Sequence, residues 1–163
     1  MDEMVLLDLL SKDPRATVTD LADILGETEE TVENAMNSLT EKKIICGYHT
    51  VINWDKTNID HVDAMIGVSA KPERDTGYDK IAERIAKFPE VSALYLMSGT
   101  WEFIVNVNGK TMREIAEFVG SKLAPVDGVT ATTTMFVLRK YKVNSVIMDG
   151  KQDIVDDRMP ISA

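Results

Sequence analysis

A single cysteine, Cys46, in a chain of 163 residues excludes an internal disulfide and fits a reducing compartment. Only two histidines, His49 and His61, accompany it, and no spacing among the three suggests a metal cluster. No glycine-rich phosphate loop is present, and nowhere do about 18 apolar residues run together as a membrane helix needs. The opening "MDEMVLLDLL" is acidic where a secretory leader carries positive charge. These absences argue against an enzyme, a cofactor, a metal and a membrane protein, and the expectation is a soluble cytoplasmic one. The 44% hydrophobic content is enough to bury a core. Cys46, between Ile45 and Gly47, reads as a small buried thiol.

Basic residues are scarce in the first third. Residues 1–50 hold four Lys or Arg against eleven Asp or Glu, a net charge of −7, whereas the remaining 113 residues hold fourteen against sixteen, a net −2. Acidic character ordinarily serves solubility. It also opposes nucleic acid, because phosphate contacts supply most non-specific affinity.

Even so, the first 50 residues are patterned as three short helices. Met4, Val5, Leu6, Leu7, Leu9 and Leu10 fall at helical spacing over about residues 2–12, and "KDP" ends the run because the residue before proline avoids the helical region. Thr17 caps a second helix with Asp20 as its capping-box partner, Leu21, Ala22, Ile24 and Leu25 form its buried stripe, and Gly26 closes it. Thr28 caps a third, in which Val32, Ala35, Met36 and Leu39 recur at i, i+3, i+4 and i+7. Two helices joined by a tight turn after a first one spell helix-turn-helix.

Beyond "IICGYHTVINWDKTN" the period changes. "DAMIGVSA", "VSALYLM", "WEFIVNV" and "VTATTTMFVLRKYK" read as strands, with Trp101, Phe103, Val105 and Val107 on one face of the third. "TGYDKIAERIAKF" and "TMREIAEFVGSKL" read as helices that turn Ile81, Ile85 and Phe88, and Met112, Ile115, Ala116, Val119 and Leu123, inward. The order β-α-β-β-α-β predicts an α+β chain, a helix-turn-helix followed by a ferredoxin-like sandwich. The division expected is 1–48 for the helical domain, 49–61 for a linker strand and hinge, 62–142 for the sandwich and 143–163 for an extension. Both helices of such a sandwich cover one face of the sheet. Apolar side chains on the other face then predict a homodimer at least. In the extension, Asp149-Gly150 is a hairpin turn signal, and Val146 to Met148 are expected to prolong the last strand or to pack on a neighbouring subunit.

With "LADILG" leading into "TEETVENAMNSL", the hinge residues Ile44, Ile45, Gly47 and Tyr48, "FPEV", the "SGTWEF" hairpin and "TTTMFVLRKYK", the chain resembles the Lrp/AsnC family over residues 1 to about 142. The resemblance implies a transcription factor whose C-terminal domains dimerise, often assemble into octamers, and bind amino acids or related small metabolites between subunits. It also implies that the third helix reads DNA. Such helices usually carry arginines, and the matching positions here are Asn34, Ala35, Asn37 and Ser38. Siroheme decarboxylases resemble the same family, but their histidine-containing hairpin motif is absent from "LMSGTWEF".

Two readings of the acidic third helix stand side by side. Glu29 and Glu30 favour the dipole of a helix N-terminus by about 0.3–1 kcal/mol each, with Glu33 and Glu41 as solvated residues. Alternatively Thr28, Thr31, Asn34, Asn37 and Ser38 meet base edges, Asn pairing with adenine and Glu accepting from cytosine, while Arg15, Lys42, Lys43 and Lys56 hold phosphates. The hairpin also has two readings. The resemblance aligns Gly99, Thr100, Trp101 and Glu102 with a turn that borders the family's effector pocket, with Glu102 a partner for a ligand ammonium. The plain alternative is a β-turn with Gly99 at positive φ and Trp101 packed on the sheet. On the function, the alternative is a metabolite-sensing or assembly protein whose acidic helix-turn-helix does not bind DNA.

Overall fold

The computed structural model of the chain describes residues 1–148. They belong to two compact units, Met1–Thr50 and Val51–Ala163. The first unit holds α1 (Glu3–Lys12), α2 (Val18–Leu25) and α3 (Glu29–Glu41). Each start is capped: the Asp2 carboxylate accepts from the Met4 N–H, Thr17 and Asp20 form a reciprocal capping box, and the Thr28 hydroxyl accepts from the Thr31 N–H. Gly26 ends α2 at φ 65°, a left-handed conformation that a side chain disfavours. Leu6, Leu10, Leu21, Ala22, Val32 and Leu39 form the core between the three helices. The stripes are narrower than the pattern suggests. Met4 is 71% and Ile24 64% exposed, because burying one face of so small a bundle needs only the i, i+4 pairs at its centre. Cys46 is also exposed, its thiol donating to the Lys43 carbonyl, since the turn after α3 leaves no core beside it.

In the second unit, β1 (Val62–Ala70), α4 (Asp79–Ala86), β2 (Val91–Leu96), β3 (Phe103–Gly109), α5 (Met112–Phe118) and β4 (Val129–Phe136) follow in chain order. The sheet is antiparallel in the order β2-β3-β1-β4, the ferredoxin-like βαββαβ arrangement. Register sets Ile66 opposite both Val105 and Thr134, so Ala64, Ile66, Val68, Phe103, Val105 and Val107 share the face that Ile81, Ile85, Ile115, Phe118 and Leu123 cover. Alternation leaves Met65, Tyr95, Ile104 and Met135 on the other face.

Several details depart from the pattern. Helix α5 passes into one wide turn, Val119–Leu123, with the Ala124 N–H reaching back to Val119. Within α5 itself the buried stripe is Ile115 and Phe118, while Met112 and Ala116, expected inward, are exposed. The 49–61 stretch, expected to include a linker strand, carries only a 3-10 turn at Trp54–Lys56 and pairs with no strand among the described residues. Val146 to Met148 do not prolong β4. Instead β5 (Lys142–Val143) and β6 (Val146–Ile147) pair across Asn144 and Ser145, both at positive φ as a tight hairpin requires. Met148 is buried, and its carbonyl accepts from the Asn53 side chain at 2.8 Å. Asp149 and Gly150 lie outside the described residues.

Candidate DNA-reading helix and candidate effector turn

The amphipathic spacing of α3 buries Val32 and Leu39 and turns Glu30, Thr31, Glu33, Asn34, Asn37 and Glu41 to solvent. Hydrogen bonding sorts these polar groups. The Thr28 and Thr31 hydroxyls lie 2.8 Å apart within the N-cap, so both are engaged in the helix itself. The Glu29 carboxylate accepts from the Thr19 hydroxyl at 2.8 Å and ties α3 to α2. Glu27 receives the chain's terminal ammonium at 2.9 Å and raises its pKa by hydrogen bond and charge together. Among the described residues Glu30, Glu33, Asn34, Asn37 and Glu41 have no such side-chain partner. Ser38 is half-buried at the edge of the stripe.

The cations of this unit lie outside α3. Lys12 is paired with Asp8, which leaves Arg15 in the α1–α2 loop and Lys42 and Lys43 just after α3. Lys43 stands at φ 59°, where glycine is the usual residue, and the Ile44 N–H closes the helix end on Leu39. Lys56 belongs to the other unit, in its 3-10 turn.

The candidate effector residues form the turn between β2 and β3, closed by the Met97 N–H on the Glu102 carbonyl at 2.8 Å. Gly99 takes φ 146° with open space around it. The β1–β3 ladder ends at Val68 opposite Phe103, and two residues on, the Ala70 N–H donates to Glu102 Oε2 at 2.9 Å. One carboxylate oxygen therefore anchors the turn to β1. Trp101 is not on the face of Phe103 and Val105. Its indole lies over Gly67, where any Cβ would come within 2.3 Å of the ring, so it covers the face opposite the helices. An isolated glycine within a strand pattern is the sequence signal for such a close approach. On the same face the side-chain oxygen of Asn106 is buried with no hydrogen-bond partner among the described residues.

Two cavities lie elsewhere in the second unit. One of about 320 Å³ runs along α5 between Glu90, Asn108, Glu114, Phe118 and Lys122; the Lys122 ammonium beside Glu90 holds that carboxyl below the ordinary glutamate range. Another of about 200 Å³ is lined by Trp54 stacked on His61, Asp63, Lys140 and Met148. The 99–102 turn lines neither. Among the described residues no group of three or more His, Cys, Asp or Glu is placed to hold a metal, and no helix is long and apolar enough to cross a membrane.

Comparison with known proteins now bears on this geometry. The Lrp/AsnC ligand binding domain matches residues 63–147, more than half of the chain. This protein belongs to the Lrp/AsnC family. Among its Lrp/AsnC relatives, an uncharacterized HTH-type transcriptional regulator of Bacillus subtilis (strain 168), YugG, is 36% identical over 161 residues, 98% of this chain and 96% of the relative. The HTH-type transcriptional regulator LrpA of Pyrococcus abyssi is 34% identical over 140 residues, 86% and 96% of the two chains. A solved transcriptional regulator of Neisseria meningitidis in complex with L-Met shares the fold with a TM-score of 0.68 at 21% identity, covering 88% of this chain and 93% of that one.

Proposed function

We propose that this Lrp/AsnC chain is a DNA-binding transcriptional regulator that assembles at least as a homodimer, with octamers as the next level, and senses an amino acid or related small metabolite in the cytoplasm. Its parts are a DNA-binding domain at 1–48, a hinge at 49–61, an effector-binding and oligomerisation domain at 62–142, and an extension at 143–163. The observation that carries the reading is the capped helix-turn-helix whose third helix keeps Asn34 and Asn37 exposed and, among the described residues, without a side-chain partner, followed directly by Lys42 and Lys43, with Arg15 exposed in the α1–α2 loop. Asn pairs bidentately with adenine, and the three cations suit phosphates. Ser38 contacts the groove from the edge of the stripe, and Thr28 and Thr31 act through the helix N-terminus that their hydroxyls cap. The relatives named as HTH-type transcriptional regulators support this.

Association uses the sheet face that Met65, Tyr95, Ile104 and Met135 leave apolar, where a second copy also supplies a partner for the Asn106 oxygen. The effector sits at Gly99, Thr100, Trp101 and Glu102. With Oε2 of Glu102 held by β1, Oε1 is the oxygen that receives a ligand ammonium. The regulator in complex with L-Met supports an amino acid as the class.

Footprinting on the DNA upstream of the protein's own gene, at about 50 mM salt, tests the first half: a protected site is expected, and Asn34→Ala with Asn37→Ala abolishes it. No footprint from the assembled protein returns the reading to an assembly or sensor protein without DNA. For the second half, a panel of amino acids is screened in a Trp54→Phe background. At least one is expected to shift Trp101 fluorescence and assembly size together, since an effector acts only through its differential affinity for the associated state.

A further inference from the structure

Glu33 has no structural reason to be an acid. It stands beyond the first turn of α3, where the helix dipole no longer rewards negative charge, and it faces Glu29 at i−4 and Glu30 at i−3, both repulsive neighbours on a helix surface. Among the described residues nothing pairs with it, although the neighbouring Glu29 is bound to Thr19 and Glu27 to the terminal ammonium. The fold therefore gives this carboxylate no role of its own and leaves it open to a partner.

The partner's chemistry follows from what the stripe contains and lacks. Between Glu29 and Glu41 there is no Lys or Arg, so no side chain within α3 offers the fork that pairs with guanine O6 and N7. The groups exposed without a partner are carboxylates, which only accept, and the carboxamides of Asn34 and Asn37, which accept and donate. In the major groove the hydrogen-bond donors on base edges are the amino groups of cytosine N4 and adenine N6. Glu33 lies beside Asn34 and one turn before Asn37, so the three share one patch of helix surface.

We propose that Glu33 is a specificity-determining residue that accepts a hydrogen bond from cytosine N4, so that α3 reads a strand of adenine and cytosine in place of the arginine-to-guanine contact that a basic recognition helix makes. This rests on the DNA-binding reading above and names what that helix selects. The carboxylate that repels phosphates at the rim of the groove is favourable only over an amino-bearing base. Its role is therefore to reject other sequences as much as to hold the right one.

Selection from a randomised duplex library, with the full-length protein, its Glu33→Gln variant and its Glu33→Ala variant, decides the matter. The native protein is expected to enrich sites with cytosine at one position next to adenines. Glu33→Gln should move that position from cytosine to adenine, because Gln pairs bidentately with adenine, and Glu33→Ala should remove the preference, a change of at least about fivefold per wrong base pair. Enriched sites that keep the same base at every position in both variants overturn the role of Glu33 while leaving DNA binding standing. If the native protein enriches no sequence at all, both this assignment and the DNA-binding reading fall. Glu33 is exposed, so the variants are expected to fold, and a melting temperature no lower than that of the native protein for Glu33→Gln checks it.

Discussion

The two units of the chain treat charge differently. In the second, many acids meet a cation or an amide: Glu73 meets Lys80 and Arg84, Asp63 meets His61 and Lys140, Glu90 meets Lys122, Glu117 meets Arg113, and Glu102 takes the Ala70 N–H, while Asp75, Asp79 and Glu83 stay exposed. In the first, which carries a net −7, Glu30, Glu33 and Glu41 stand exposed on one helix that holds no Lys or Arg, without a side-chain partner among the described residues. Open acids occur in both units; on α4 they alternate with Lys80 and Arg84, whereas α3 has no cation among them.

The largest expected effects lie in the unit whose polar groups are engaged. Glu102→Ala leaves the Ala70 N–H without its acceptor and should cost about 1–3 kcal/mol in chemical denaturation. An unchanged midpoint would show that the turn is not anchored to β1. Similar in size, Gly67→Ala drives a Cβ into the Trp101 indole and should destabilise by about 1–3 kcal/mol with a shift in Trp101 emission. If the emission stays the same, the indole does not lie where the contrast between the two faces requires.

Smaller effects belong to the first unit. Lys43→Gly relieves a left-handed residue and should raise stability by about 1 kcal/mol, while removing one phosphate contact and lowering the salt slope of DNA binding by about 0.9. Stability and affinity are thus expected to move in opposite directions. Glu33→Gln should stabilise by only about 0.2–0.5 kcal/mol through relief of like charge at i−4. The Thr17 hydroxyl, and then its amide, hold the Asp20 carboxyl below its ordinary range, so that the capping box contributes above about pH 4 and is lost as pH falls through the lowered value. Protonation meanwhile removes the repulsion along α3.

Much of this was legible in the sequence, and the exceptions share a cause. Thr17, Asp20, Gly26 and Thr28 announce their caps because capping is local, and the change of period after residue 50 announces the sandwich. Trp101 was misplaced because it precedes β3, where alternation along the strand no longer governs which face a side chain takes. The Glu102 to Ala70 bond joins residues 32 apart, and no short-range pattern encodes it. Asn144-Ser145 makes a tight turn although neither residue is glycine, so composition there gives no strong turn signal. Of the candidate sites, which residues of α3 are exposed could be read from its period. Which of them remain unengaged could not, since that depends on the contacts of Thr19 and of the terminal ammonium.

The central claim is that binding to DNA rests on few cations and that its selectivity comes from an uncharged and acidic stripe. The salt dependence of specific binding tests this most directly. With Arg15, Lys42 and Lys43 as the phosphate contacts of each head, the slope of log K against log salt for a two-headed dimer should be about −5, at roughly 0.9 per neutralised phosphate, and Glu30→Gln with Glu33→Gln should strengthen non-specific binding at every salt concentration. A slope near −10 would mean that cations outside this set carry the affinity, and an affinity unchanged by removing both acids would mean that α3 does not face the DNA.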